Sequence, residues 1–195
     1  LKMVAKAFEK QMETNEGFAK SRKQFMCEDD ISEVDFLYMI ADSWSMMDQY
    51  GGKSQLCSTI LSVPQEDVTV DKLTAVFSDL SKSFWGEQFC SQGFYNTAQL
   101  KDEKRWDVNS RSWRWQTCYQ VAWFNTAPKQ GSIRSERVNL DYHLKQCAEV
   151  FGYEMFPAVE PLIKKFGGDS PSPVHNVFYS NFGDDPWQRA GVSYS

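Results

Sequence analysis

Apolar residues recur at helical spacing through most of the first 166 residues, and this periodicity limits the fold more than any other feature. The spacing predicts amphipathic helices whose apolar faces pack against one another, as in a helix bundle. The stripes consist of Leu1, Val4, Phe8 and Met12; Ile31, Val34, Leu37, Ala41, Trp44 and Met47; Leu73, Val76, Phe77, Leu80 and Phe84; Leu140, Leu144, Cys147 and Phe151; and Val159, Leu162, Ile163 and Phe166.

Local signals predict where several of these helices begin and end. Asp30, with Glu33 three residues later, has the pattern of a capping box at the start of the second stripe. Gly152 and the pair Gly167–Gly168 predict helix C-termini, because glycine adopts the left-handed conformation that commonly ends a helix. Residues 86–112 have no clear period and are rich in polar side chains, so we expect a loop there.

The pattern changes after residue 166. The segment GGDSPSP (167–173) is typical of a linker or turn. The segment VHNVFYSN (174–181) is dense in Val, Phe and Tyr and predicts one buried strand, for which the chain supplies almost no partner strand. The sequence therefore predicts a mostly α chain, with a helical domain over residues 1–166 and, over residues 167–195, a strand that belongs to another sheet.

Composition excludes several classes of function. The chain has 26 acidic and 21 basic residues, a net charge of −5, which disfavours nucleic acid as a partner because phosphate binding needs clustered Lys and Arg. It has no apolar run long enough to span a membrane. No metal-ligand or cofactor-binding pattern is evident, so we expect neither a metal nor a cofactor.

Five cysteines lie about 30 residues apart, at Cys27, Cys57, Cys90, Cys118 and Cys147, without a CxxC pair. This wide spacing favours disulfides over zinc ligands and indicates a secretory or lysosomal history. The alternative is five buried thiols in a cytosolic protein. If disulfides form, the odd count leaves one cysteine unpaired, and we expect the chain to be a piece of a longer or processed protein.

The segment FYSNFGDDPW (178–187) places two aspartates where an apolar run ends, a position at which open α/β sheets hold catalytic groups. A serine hydrolase of that class needs G-x-S-x-G and the order Ser, acid, His. The sequence lacks that motif, and His143 and His175 both precede the aspartates. His143 and Cys147 have a spacing that can bind a metal, but a pair on an apolar helix stripe is more often core.

The segment RSWRWQTCYQVAWFNTAP (111–128) is unusually rich in tryptophan. Trp113, Trp115 and Trp123 lie close in sequence to Cys118. Such aromatic density is found in surfaces that bind peptides or sugars, and also in the seam between two packed layers.

Three segments together resemble one family of lysosomal serine peptidases, which includes Pro-X carboxypeptidase, dipeptidyl peptidase II and thymus-specific serine protease. VFYSNFGDDPW followed by Gly-Val resembles its strand, turn and Asp-Pro-Trp. WRWQTCYQ resembles its Trp-x-x-Gln-x-Cys-Thr-Glu, and SWSMMDQYGGKSQLC (43–57) is similar to its helix that leads through Gln-Tyr-Gly to a cysteine. The segments keep their order and approximate spacing over residues 27–192.

This resemblance implies a fold and a reaction. Residues 1–166 would form most of the helical cap that the family inserts into an α/β-hydrolase, and residues 167–195 would belong to the hydrolase domain. The protein would hydrolyse peptide bonds, plausibly after proline, through an acyl-enzyme. Asp185 matches the acid of the catalytic triad and Asp184 a variable position, while the nucleophilic Ser would precede Leu1 and the His would follow Ser195.

The resemblance also implies further residues. Trp187 and Trp115 are candidates for pocket walls, and Gln120 for a polar contact with the substrate. Gln120 stands where the family usually has Glu, so we expect recognition of a substrate amino terminus to differ from the family pattern. Phe182 replaces the glycine that follows the asparagine, so we expect a different turn shape there.

The family pattern pairs Cys118 with Cys147 and Cys27 with Cys90, which leaves Cys57 for a disulfide with the remainder of the peptidase chain. The expected partners are thus a peptide substrate and the rest of the peptidase, in a lysosomal or secreted protein. The alternative from another class is a non-catalytic helical module that binds a peptide or a partner protein; a third is a helical domain that matches these motifs by chance.

Overall fold

The computed structural model describes residues 1–90, 94–104, 109–171, 175–183 and 185–192, without the side chains of Arg189 and Ala190. These residues confirm the prediction of a mostly helical chain. The helices are α1 (Lys2–Gln11), α2 (Asn15–Gln24), α3 (Glu33–Gln49), α4 (Lys53–Leu61), α5 (Val70–Trp85), α6 (Thr97–Leu100), α7 (Ser110–Gln116), α8 (Leu140–Phe151) and α9 (Val159–Phe166), with 3₁₀ turns at Gln65–Asp67 and Pro186–Ala190 and a π-helical turn at Thr117–Val121. In the part of the chain described, no helix is both long and apolar enough to cross a membrane.

Helix ends follow the expected capping chemistry with one exception. Gly152 and Gly167 end α8 and α9 in the left-handed conformation, with φ of 80° and 83°. The cap of α3 is Ser32, whose Oγ accepts from the backbone N–H of Asp35 at 3.1 Å. Asp30, the predicted cap, instead accepts a hydrogen bond from the side-chain amide of Asn96 at 2.6 Å.

The main core lies between α1, α2, α3 and α5. Four buried phenylalanines meet at its centre, namely Phe8, Phe25, Phe36 and Phe77. The ring of Phe8 packs edge-to-face against the other three, with centroids 5.6, 6.1 and 6.0 Å away. Because edge-to-face pairs add about 0.5–1.5 kcal/mol each beyond their burial, this cluster fixes the four helices against one another.

A buried carboxylate joins the core to the second half of the chain. Asp35 on α3 accepts hydrogen bonds from the backbone N–H and the hydroxyl of Thr97, both at 2.9 Å. It also accepts from the Tyr142 hydroxyl at 2.7 Å and the Gln146 amide at 3.1 Å. These four donors replace the water that the carboxylate loses on burial, so α3, α6 and α8 are held at one point.

Two disulfides are present, Cys27–Cys90 and Cys118–Cys147, the same pairs that the resemblance implies. The first links the segment after α2 to the segment after α5, and the second links the π-helical turn to α8. Cys57 is an exposed thiol on α4. Because Cys147 is bonded to Cys118, its sulfur is not a free thiolate for a metal, and Cys147 and His143 both lie on the buried face of α8.

Three elements differ from the sequence-based expectation within residues 86–151. The loop predicted over residues 86–112 contains α6, a single turn that Asn96 caps by accepting from the N–H groups of Ala98 and Gln99, and the start of α7. The buried face of α8 is rotated from the apolar stripe: it consists of His143, Gln146, Cys147 and Val150, while Leu140 is half exposed. Polar contacts with Asp35 and Arg114 determine this rotation.

The predicted strand does not form in the described part of its segment, residues 175–181. The side chain of Phe178 is 91% exposed and that of Val177 is half exposed. A strand needs a neighbour for its backbone hydrogen bonds, and the described residues contain no strand to pair with it. Asp184 and Val174 lie outside the described residues.

Matched leucine truncations test the packing of α5. Leu80 is 5% exposed in the core, and Leu61 is 81% exposed at the end of α4. We expect Leu80→Ala to lower the free energy of unfolding by about 2–5 kcal/mol, because it leaves a cavity, and Leu61→Ala to change it by less than about 0.5 kcal/mol. Urea unfolding measures both; equal losses would contradict the described core.

Candidate functional site

A cavity of about 490 Å³ lies between α3, α7 and the C-terminal turn at Pro186. This volume is in the range of pockets that hold a small ligand or a few peptide side chains. Much of its wall is aromatic, formed by Tyr38, Tyr50, Phe94, Tyr95, Trp113, Trp123 and Trp187. The charged side chains among the described lining residues are Asp42, Arg114 and Arg134.

The turn at Asp185 borders this cavity through its next two residues, Pro186 and Trp187. Oδ1 of Asp185 accepts from the backbone N–H of Trp187 at 2.9 Å and so caps the 3₁₀ turn. Pro186 suits the first position of the turn, because it has no N–H to satisfy there. The other carboxylate oxygen, Oδ2, makes no hydrogen bond with the described residues.

Trp187 attaches this turn to the helical domain. Its indole N–H donates to the side-chain oxygen of Gln49 on α3 at 2.9 Å. Its ring packs edge-to-face with Trp123 and Trp113, with centroids 4.7 and 6.4 Å away. The position of the Asp185 carboxylate is therefore set by contacts with α3, α7 and the segment after the π-helical turn.

The π-helical turn brings Trp123 to the cavity. The backbone N–H of Ala122 donates to the carbonyl of Thr117 at 3.1 Å, which closes the wide turn. Ala122 then adopts a left-handed conformation with φ of 53°, which costs about 1–2 kcal/mol for a residue with a Cβ atom. Single π-helical turns are frequent at functional sites, and this one redirects the chain so that Trp123 meets Trp187.

A buried ion pair lies on the wall of the cavity. Nη2 of Arg134 donates to Oδ1 of Asp42 at 2.8 Å, and only 11% and 12% of the two side chains are exposed. Burial raises the pKa of Asp42, and the Arg134 guanidinium opposes that rise. Burial and the charge of Asp42 raise the pKa of Tyr38 and of Tyr95 as well, so both phenols remain neutral donors at the cavity wall.

Arg114 is buried beside His143. Its Nη2 lies 3.1 Å from Nδ1 of His143 and donates to that residue's carbonyl at 3.3 Å. Because a guanidinium only donates, Nδ1 accepts, and the ring proton resides on Nε2, which lies 3.3 Å from the carbonyl oxygen of Asn125. Burial, with a smaller contribution from Arg114, lowers the pKa of His143 to about 3, so the imidazole is neutral at ordinary pH.

Comparison with known proteins places the chain in a family. The model of the serine carboxypeptidase S28 family matches residues 5–195. The chain belongs to the serine carboxypeptidase S28 family. It is also 30% identical over 166 residues to a probable serine protease, EDA2, of Arabidopsis thaliana, an alignment that covers 84% of this chain. The chain spans about a third of that relative's length. No solved structure matches it.

The structure brings together only part of the residue set that the S28 resemblance predicted. Trp187 lines the cavity, and Asp185 precedes it in the same turn. Trp115 instead stacks on Tyr119 at 4.7 Å, and both rings are partly exposed. Gln120 is exposed in the π-helical turn, and neither Trp115 nor Gln120 lines the cavity.

Sequence reasoning missed three charged residues of the cavity, Asp42, Arg114 and Arg134. One signal was available on α3, since Asp42 follows Asp35 by seven residues in a helix that is otherwise largely apolar. An acid in such a helix is buried and needs a partner. No local pattern names Arg134 as that partner, because it lies 92 residues away.

The buried histidine predicts a specific pH dependence of stability. The pKa of His143 is about 3 when folded and 6.5 as an ordinary value, so below pH 6.5 the unfolded chain takes up a proton that the folded chain cannot. The neutral His143 therefore contributes fully to the free energy of unfolding above pH 6.5, and this contribution is lost as the pH falls toward 3. We expect the free energy of unfolding to decrease by up to about 1.4 kcal/mol per pH unit from this residue alone.

His143→Gln tests this expectation, because glutamine does not titrate but can still accept from Arg114 and donate to Asn125. Urea unfolding between about pH 7 and about pH 4 should show a shallower dependence in the variant than in the wild type. The exposed His175 provides the matched control, His175→Gln. Equal slopes in the wild type and His143→Gln would show that the imidazole is not held neutral.

Proposed function

We propose that the protein is a serine exopeptidase related to the Pro-X carboxypeptidases and dipeptidyl peptidase II. It hydrolyses peptides, at a bond after proline, through an acyl-enzyme. Membership of the S28 family supports a serine peptidase. The observation that carries the proposal is the Asp185 turn, because its two following residues line an aromatic cavity and Oδ1 alone of its carboxylate oxygens is bound within the described residues.

In this proposal Asp185 is the acid of the triad. It accepts from the Nδ1–H of a histidine, which holds the imidazole in the tautomer that can deprotonate the serine and stabilises the imidazolium that forms. The serine and the histidine come from parts of the protein outside these 195 residues. Oδ1 is already bound to the N–H of Trp187, which leaves Oδ2 for the histidine.

The proposed domain organisation follows the same family pattern. Residues 1–166 form the helical cap, and residues 167–195 belong to an α/β-hydrolase domain. The exposure of Val177 and Phe178 supports this division, because apolar side chains exposed to this degree mark a surface that another part of a protein covers. The disulfides support a secreted or lysosomal protein.

The cavity is proposed to hold the substrate residues next to the scissile bond. Trp187, Trp113 and Trp123 provide flat apolar surfaces that suit a proline ring. Polar side chains on the same cavity wall, such as Gln49 and Asn125, can orient a bound peptide.

Asp185→Asn tests the role of the acid in the protein expressed from its complete gene. Asparagine is as good a helix cap as aspartate, so the turn and the position of Trp187 should persist. We expect kcat on a peptide that ends in Pro-Phe to fall by about 10⁴, because the amide favours the wrong tautomer of the histidine. The adjacent carboxylate provides the control, Asp184→Asn, for which we expect wild-type turnover. Wild-type turnover in Asp185→Asn would refute the assignment.

One observation favours a second function. Described residues of this chain form the aromatic wall of the cavity, so a peptide can bind there without a serine or a histidine. A non-catalytic peptide-binding module is therefore the alternative. It predicts that the complete gene encodes no G-x-S-x-G before these residues and that the purified protein binds the same peptide and leaves it intact.

In this proposal Cys57 forms a disulfide with the remainder of the peptidase. Its thiol is exposed, while the other four cysteines form two disulfides. We expect Cys57 to pair with a cysteine outside these 195 residues. Peptide mapping of the non-reduced protein should recover Cys57 in a cross-linked peptide, and recovery as a free thiol would contradict the pairing.

A further inference from the structure

Arg114 is a charged side chain of the cavity that forms no ion pair with the described residues. Among the described lining residues, Asp42 and Arg134 neutralise each other at 2.8 Å, and Arg114 remains. No carboxylate of the described residues lies within ion-pair distance of Arg114. The buried carboxylates of Asp35 and Asp42 attract Arg114 through space, but neither accepts a hydrogen bond from it, and Asp35 accepts from Thr97, Tyr142 and Gln146 instead.

Arg114 also has unused hydrogen-bonding capacity. Its side chain is buried, with the residue only 6% exposed. Nη2 is bound to His143, whereas Nε is enclosed without a partner and Nη1 makes no hydrogen bond with the described residues. Buried polar groups are normally paired, so each such group in a folded protein needs an explanation.

The groups in contact with Arg114 leave part of its hydrogen-bonding capacity unused. The neighbouring His143 ring is neutral and accepts from the guanidinium, and the Phe124 ring lies 5.4 Å from it in a cation–π contact. Burial lowers the pKa of Arg114, but an arginine remains protonated in proteins. A buried charged group is costly unless its hydrogen bonds are also satisfied, and a bound anion supplies acceptors for the unpaired N–H groups.

We propose that Arg114 binds a carboxylate of a peptide that occupies the aromatic cavity. The guanidinium is matched to a carboxylate in shape and charge, and such charge-assisted hydrogen bonds are about twice as strong as neutral ones. Trp113, next to Arg114 on α7, contacts Trp187 of the Asp185 turn, so a peptide bound by its carboxylate lies beside the proposed triad acid. This inference rests on the proposed function only in taking the ligand to be a peptide.

Two sources can supply the carboxylate, the C-terminus of the peptide and an acidic side chain. Three probe peptides separate them: acetyl-Ala-Pro-Phe with a free carboxylate, the same peptide as its C-terminal amide, and acetyl-Ala-Pro-Glu as its C-terminal amide. Isothermal titration of the protein expressed from its complete gene gives the dissociation constants. We expect at least one of the two acidic peptides to bind about tenfold more tightly than the neutral amide, a difference of roughly 1.4 kcal/mol.

Variants at Arg114 test whether this residue is the cause. Arg114→Gln should bind all three peptides equally, and Arg114→Lys should retain part of the preference because it keeps the charge. The control is Arg137→Gln, since Arg137 is exposed, pairs with Glu33 at 2.7 Å and does not line the cavity. Circular dichroism and thermal unfolding verify that each variant is folded.

The outcomes separate this inference from the proposed function. If Arg114→Gln prefers the acidic peptides over the neutral amide as strongly as the wild type does, the inference is overturned. It is also overturned if the wild type itself binds the acidic peptides no more tightly than the neutral amide. Mass spectrometry of the titrated sample reports cleavage independently. A peptide that binds through its carboxylate and stays intact would contradict the peptidase alone, whereas cleavage without any carboxylate preference would contradict the inference alone.

Discussion

Two buried carboxylates on α3 hold the structure together. Asp35 and Asp42 are seven residues apart, so they lie on one face of the helix, two turns from each other. Asp35 is satisfied by four hydrogen-bond donors and Asp42 by the guanidinium of Arg134. The opposite face of α3 carries Phe36, Ile40, Trp44 and Met47 into the aromatic core. Since a buried carboxylate without a partner is strongly destabilising, the segments that bring these donors are fixed to α3.

The candidate site depends on the same helix. Gln49, near the end of α3, receives the indole N–H of Trp187, and Asp42 and Tyr38 form part of the cavity wall. The wall opposite comes from α7 and the π-helical turn, which the Cys118–Cys147 disulfide fastens to α8. The site is thus assembled from segments more than a hundred residues apart, with α3 as their common support.

The sequence predicted the features that depend on local physics. Apolar periodicity located α1, α3, α5, α8 and α9, and glycine chemistry located the ends of the last two. The rotation of α8 was not predictable, because it arises from polar contacts of His143 and Gln146 with distant residues. The strand expected at 174–181 failed for a related reason, since pairing depends on a neighbour and not on propensity. Motif resemblance singled out Asp185 and Trp187, but it gave no indication of Arg114, whose unpartnered Nε is apparent only in the folded structure.

Three tryptophans of the described residues, Trp113, Trp123 and Trp187, line a single cavity. All three are at least partly exposed, and Trp187 contacts both of the others. Indole emission is sensitive to the polarity of its surroundings, so a molecule that displaces water from this cavity changes the intrinsic fluorescence of the protein. The aromatic cluster therefore provides a built-in optical reporter of occupancy that needs no attached dye.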